Sequence, residues 1–214
     1  MLHHRKESDE HLVRRLESFS DIVIGFSLAE LTLNLAVPPT FSSLFSNATW
    51  LIAYCWTFTV VSYLWIEHHR LFARAFVPTK LAIVLNFVWL ATIGLLVYLV
   101  QLYAHFFVNL AATRAIYMAY FGLFGLNLAI TATLYGLAVR HPAALNESAR
   151  TVASHALWRF GIAAGVVLTA VAAGPFMPLW LFWWMVGPSV GYGFFVAGFA
   201  LRLWDRRTRY DRAV

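Results

Sequence analysis

Charge is what this chain has least of. Only 12% of its 214 residues are Asp, Glu, Lys or Arg, where a soluble domain carries about 25%. With 61% of residues hydrophobic, that deficit excludes an ordinary soluble fold and implies an all-α, multi-pass membrane protein. Cysteine is nearly absent too. The single Cys55 excludes an intrachain disulfide and a paired-cysteine metal centre. The opening "MLHHRKESDEHLVRR" lacks the apolar run of a cleavable signal peptide. No low-complexity linker interrupts the sequence, so residues 1–214 read as one membrane domain.

What is present is a series of apolar runs. Six spans are expected, at about 19–37, 49–66, 81–103, 115–139, 157–174 and 179–203. The net charge of +6 does not point to nucleic acid, because topology explains it. With the N-terminus in the cytoplasm, every Lys and Arg except Arg114 lies on the cytoplasmic side, which is the positive-inside pattern. Six spans return the C-terminus to the same side. Trp180, Trp183 and Trp184 read as an outer aromatic belt and Trp204 as an inner one. In the last two spans, Gly161 with Gly165 and Gly187 with Gly191 have the four-residue spacing that lets helices approach. Pro188 should kink the sixth span.

The first span is unusually polar. Its 19 residues, Phe19 to Val37, make a helix of roughly 28 Å, yet Glu30 falls deep within it. A charge at the bilayer centre costs about 2.5–3.5 kcal/mol on insertion scales. At 100° per residue, Ile22, Phe26, Glu30, Leu33 and Val37 share one stripe, and Ser20, Ser27 and Asn34 an adjacent one. Asp21 points almost opposite to Phe26, and is expected to be buried and bonded to Arg15, His68 or His69. Glu30 has two readings. It pairs with a polar group such as Asn86 or Gln101, or it faces a hydrated path, as intramembrane acids commonly do.

Adjacent His68 and His69 point about 100° apart on a helix and make a poor joint ligand pair for one metal. With His105 and His155 they lie near span ends without a ligand spacing that supports haem or an intramembrane enzyme. The chain therefore reads as a non-enzyme without a cofactor.

Three stretches carry a family resemblance. Arg15-x-x-x-Phe19-Ser20-Asp21 resembles the opening R-x-x-x-F-S-D signature of the transmembrane protein 175 family, and Val37-Pro38 matches the end of its first span. "WIEHHRLF", Trp65 to Phe72, resembles the W-x-x-H-H-x-x-F that ends its second span. "LNFVWLATIGLL", Leu85 to Leu96, resembles its third. The resemblance covers about the first 100 residues. It implies a potassium-permeable cation channel without a T-V-G-Y-G filter, which this sequence indeed lacks. It further implies a homotetramer in the cell membrane of a prokaryote, in contact with lipids and monovalent cations, with the first helix lining the pore. By position, Phe26 falls on the narrowest ring and Leu33 on a second apolar layer. Arg15, Phe19, Ser20, Asp21, His68 and His69 are carried over as a structural signature.

The sequence departs from the family between those layers. Ala29 stands where threonine is common and Glu30 where leucine is usual. Four Glu30 carboxylates in one ring cannot all ionise cheaply, so altered selectivity is expected. The alternative is a proton-coupled small-molecule transporter with Glu30 as the proton carrier. Against it, no inverted repeat or pair of broken helices is visible.

Overall fold

The computed structural model describes residues 2–33, 48–106, 108–141 and 145–211. Among these the chain forms seven α-helices: α1 (Leu2–Leu33), α2 (Ala48–Arg74), α3 (Lys80–Phe106), α4 (Leu110–Val139), α5 (Glu147–Ala173), α6 (Leu179–Met185) and α7 (Ser189–Asp211). A single 3₁₀ turn, Gly174–Phe176, follows α5.

Local chemistry sets the helix starts. The Thr79 hydroxyl accepts from the Ala82 amide at 3.1 Å and opens α3. The side-chain carbonyl of Asn109 does the same for Ala112 at 3.1 Å in α4, and that of Asn146 for Ala149 at 2.8 Å in α5. Each satisfies an amide that the first helical turn leaves without an intrahelical partner. Prolines supply the remaining punctuation, with Pro178 immediately before α6 and Pro188 immediately before α7.

The expected sixth span is therefore two helices. α6 and α7 are bent by 45° at a break of three residues that ends at Pro188. The first helix extends back to Leu2, well before the expected span begins at Phe19. The end of its expected span, Asn34 to Pro38, lies outside the described residues.

Three helices, α3, α4 and α5 with its 3₁₀ turn, are long and apolar enough to cross a membrane among the described residues, and the bent α6–α7 pair is a fourth candidate. Six spans are expected; the one at about 19–37 falls partly on α1 and partly outside the described residues, and the one at about 49–66 falls on α2.

The chain forms two compact units, residues 1–73 with 78–120, and 74–77 with 121–214. In the first, α1 packs on α3, and Leu31 of α1, Val61 and Leu64 of α2, and Ile93 and Leu96 of α3 are fully buried. Thr57 of α2 and Tyr120 of α4 share a buried hydroxyl bond of 3.0 Å.

In the second unit α5 and α7 run antiparallel. Their ring contacts pair Phe160 with Phe194 and Trp158 with Trp204, at centroid separations of 6.2 and 6.0 Å. The close approaches within the unit are at Gly193 and Gly125. A Cβ at Gly193 would stand 3.0 Å from the Ala163 backbone, and one at Gly125 2.9 Å from the Leu168 side chain. Gly165 and Gly191 have open space in that direction, and Gly161 meets only the Ala132 methyl at 4.0 Å. Spacing alone did not reveal which glycines face a neighbour.

Candidate functional site

α1 has two contrasting sides. Leu16, Ser20, Ile24, Ser27 and Leu31 recur at intervals of three or four and are buried, none more than 7% exposed. On the other side Ile22, Phe26 and Leu33 are 56%, 72% and 84% exposed. Gly25 and Ala29 are exposed among them. A soluble helix would put charge on that side; here it is apolar. Asn34 and Val37, grouped with these stripes by periodicity, lie outside the described residues.

The two acids occupy the flanks of this open side. Asp21 is exposed and accepts a 2.8 Å bond from the indole Nε1 of Trp65 on α2. This corrects the expectation of a buried Asp21 bonded to Arg15, His68 or His69. The reason is register: Asp21 follows Ser20, the residue that faces inward, and is turned by about 100° towards α2. Glu30 lies on the opposite flank and accepts a 3.3 Å bond from Nε2 of Gln101 on α3. Gln101 is one of the two partners the sequence offered. The contact is with α3, yet the carboxylate remains on the exposed side.

Beside the acids run hydroxyls that bond their own backbone four residues back, Ser20 to Leu16, Ser27 to Val23 and Thr32 to Leu28, at 2.8 to 3.0 Å. Such bonds let polar residues sit in an apolar helix without stranded donors. Thr32 also meets the Tyr54 hydroxyl of α2 at 3.2 Å.

The three sequence signatures converge below this face. Nε2 of His68 on α2 lies 2.8 Å from Oδ1 of Asn86 on α3. Nδ2 of Asn86 donates to the Ser20 hydroxyl of α1 at 3.3 Å. Ser20 donates onward to the Leu16 carbonyl. All three side chains are buried, at 2%, 0% and 0% exposure. The His68 ring lies between Phe72 and Trp89, at centroid distances of 4.6 and 4.4 Å.

Two outer contacts complete the joint. Phe19 meets Phe87 edge-on at 5.8 Å, and His69 pairs with Glu17 at 3.0 Å. Glu67 is buried and bonded to Arg70 at 2.7 Å. Ser20, Asn86 and His68 thus form a polar latch across α1, α2 and α3. Asn86 is its centre, and sequence reasoning placed it only as a partner for Glu30. The signal that could have found it was its position in the third signature, "LNFVWLATIGLL". Among the described residues no group of His, Cys, Asp or Glu is arranged to hold a metal ion.

The family described as the endosomal/lysosomal potassium channel TMEM175 matches residues 15–96, the stretch that holds the latch and the α1 face. That match covers less than half of the chain, which is similar to this family over its N-terminal stretch. A curated relative, a potassium channel of Marivirga tractuosa, is 27% identical over 92 residues. That match covers 43% of this chain and 37% of the relative, well under two thirds of its length. Two solved structures share the fold. A lysosomal potassium-selective channel TMEM175 homolog from Chamaesiphon minutus superposes with a TM-score of 0.68 at 24% identity. It covers 90% of this chain and 98% of its own. A threonine-to-alanine variant of the potassium channel MtTMEM175, in complex with a nanobody–MBP fusion, gives a TM-score of 0.62 at 18% identity. It covers 92% of this chain and 93% of its own. The TMEM175 fold therefore extends across most of the chain, beyond the N-terminal stretch that carries the sequence likeness.

Proposed function

We propose that this chain is one subunit of a homotetrameric, potassium-permeable cation channel in the cell membrane of a prokaryote. Both termini are cytoplasmic, and the exposed side of α1 lines the path. The observation that carries this reading is the open apolar face of Ile22, Phe26 and Leu33 flanked by Asp21 and Glu30. Against lipid the flanking carboxylates are expensive. Around a hydrated symmetry axis they are not. Four Phe26 rings form the narrowest layer, and Leu33 forms a second apolar layer. Such layers hold back ions by excluding water. Glu30 sits between them and draws cations of any kind, so it weakens preference for potassium over sodium.

Flux through purified protein in liposomes, with potassium, sodium and protons compared, tests the proposal. Selective or mixed cation flux supports it, and the absence of flux from a properly inserted tetramer contradicts it.

One observation favours a second reading. The α6–α7 break resembles the discontinuous helices of secondary transporters, in which Glu30 would carry a proton. Those helices come in symmetry-related pairs, and one break stands among the described residues. Proton movement coupled to a small solute, without cation flux, would favour it.

A further inference from the structure

α1 is one continuous helix from Leu2 to Leu33, so the residues before Phe19 keep the register of the open face. Successive residues of a helix turn by about 100°. Arg15 therefore points within about 20° of both Ile22 and Phe26. It is exposed, as they are. Along the helix it stands about 16 Å before Phe26. Arg14 is exposed too, but it is turned by about 120° from Phe26.

The acids nearby do not offset that charge. Glu10, Glu17 and Asp21 are turned away from Arg15 by about 120–160°. Glu17 is taken up by His69 at 3.0 Å, and Asp21 by the Trp65 indole at 2.8 Å. Arg15 makes no hydrogen bond or ion pair among the described residues. The basic partner that charge suggested for Asp21 thus stands on a different side of the helix, with its guanidinium open.

A guanidinium on a solvated helix surface ordinarily contributes little. One that faces an ion path acts on every ion that passes. Arginine stays protonated in proteins, so this charge does not titrate away. Repulsion scales with the charge of the passing ion. A barrier raised against a monovalent cation is therefore doubled for a divalent one.

We propose that Arg15 is a specificity-determining residue of the ion path, selecting monovalent over divalent cations. Four copies form a positive ring at the mouth, ahead of the Phe26 layer, and raise the cost of cation entry. The ring opposes Glu30, which lies beyond Phe26 and attracts cations of any kind. The proposal rests on the reading of α1 as the pore-lining helix.

The test is tracer potassium and calcium uptake into liposomes holding the full-length protein, at ~0.1 M and ~1 M salt, where the screening length falls from about 10 Å to about 3 Å. At the lower salt Arg15→Gln should raise potassium uptake about threefold and calcium uptake about ninefold, the square that a doubled barrier requires. Arg15→Lys should match the unsubstituted protein, and Arg15→Glu should exceed Arg15→Gln for both ions. Arg14→Gln, with the same charge removed from another side of the helix, should change uptake less. All gains should shrink towards none at the higher salt. A merely structural Arg15 would not give this ordering by charge or its loss in salt. Absence of potassium uptake by the unsubstituted protein would contradict the pore reading, and this proposal with it. With uptake present, equal gains for the two ions, equal gains from Arg14→Gln and Arg15→Gln, or gains that persist at the higher salt overturn the role of Arg15 alone.

Discussion

Nε2 of His68 and Oδ1 of Asn86 lie 2.8 Å apart with both side chains almost fully buried. Since Asn86 also reaches Ser20, one amide joins three helices. Burial makes the bond consequential: a buried polar group that loses its partner costs about 1–3 kcal/mol.

Asn86→Leu should therefore lower stability by about 1–3 kcal/mol, because it strands His68 and Ser20 together. Combining it with His68→Phe should cost less than the sum of the two single changes, since both polar groups are then gone. Thermal unfolding of the four proteins in one detergent measures this. Strict additivity would mean that the bond contributes nothing.

Gly193 is the second structural test. A side chain there meets the Ala163 backbone at 3.0 Å, and backbone cannot swing aside. Gly193→Val should cost about 1–3 kcal/mol or more, the range for overpacking. Gly165→Ala should be nearly neutral or stabilising, because the space beside it is open. Unfolding midpoints of the two variants give the comparison, and a larger loss at Gly165 would contradict the packing described.

These contrasts show what the sequence made legible. Apolar runs disclosed α3, α4 and α5 closely, because length and hydropathy are local properties. Pro188 disclosed the break before α7, because a missing amide acts on its own helix. Partnerships across helices were less accessible. Charge points Asp21 to a basic partner, yet its neighbour in space is the Trp65 indole. Gly161 and Gly165 have that spacing but no close approach within the chain, and Gly193, outside any such motif, makes one. The α1 stripe of Phe26, Glu30 and Leu33 followed from periodicity. Ile22 was on that stripe but not singled out, and it is as open as its neighbours.

Glu30 should govern selectivity. Its carboxylate attracts cations of any kind, so Glu30→Leu should raise the ratio of potassium to sodium flux, and Glu30→Gln should shift it the same way. Gln101→Leu removes the contact that steers the carboxylate and should change selectivity less than removing the carboxylate itself. Flux ratios measured side by side read all three outcomes, and an unaltered ratio in Glu30→Gln would assign selectivity elsewhere.

The central claim is that the open side of α1 lines a cation path with Phe26 at its narrowest layer. The most direct measurement is tracer potassium uptake into liposomes holding the Phe26→Ala or Phe195→Ala protein beside the unsubstituted chain. Both rings are about three-quarters exposed, at 72% and 75%, but Phe195 is on α7. Uptake should rise in Phe26→Ala, because the hydrophobic layer is opened, and stay unchanged in Phe195→Ala. Equal uptake by all three proteins, or a rise confined to Phe195→Ala, would contradict it.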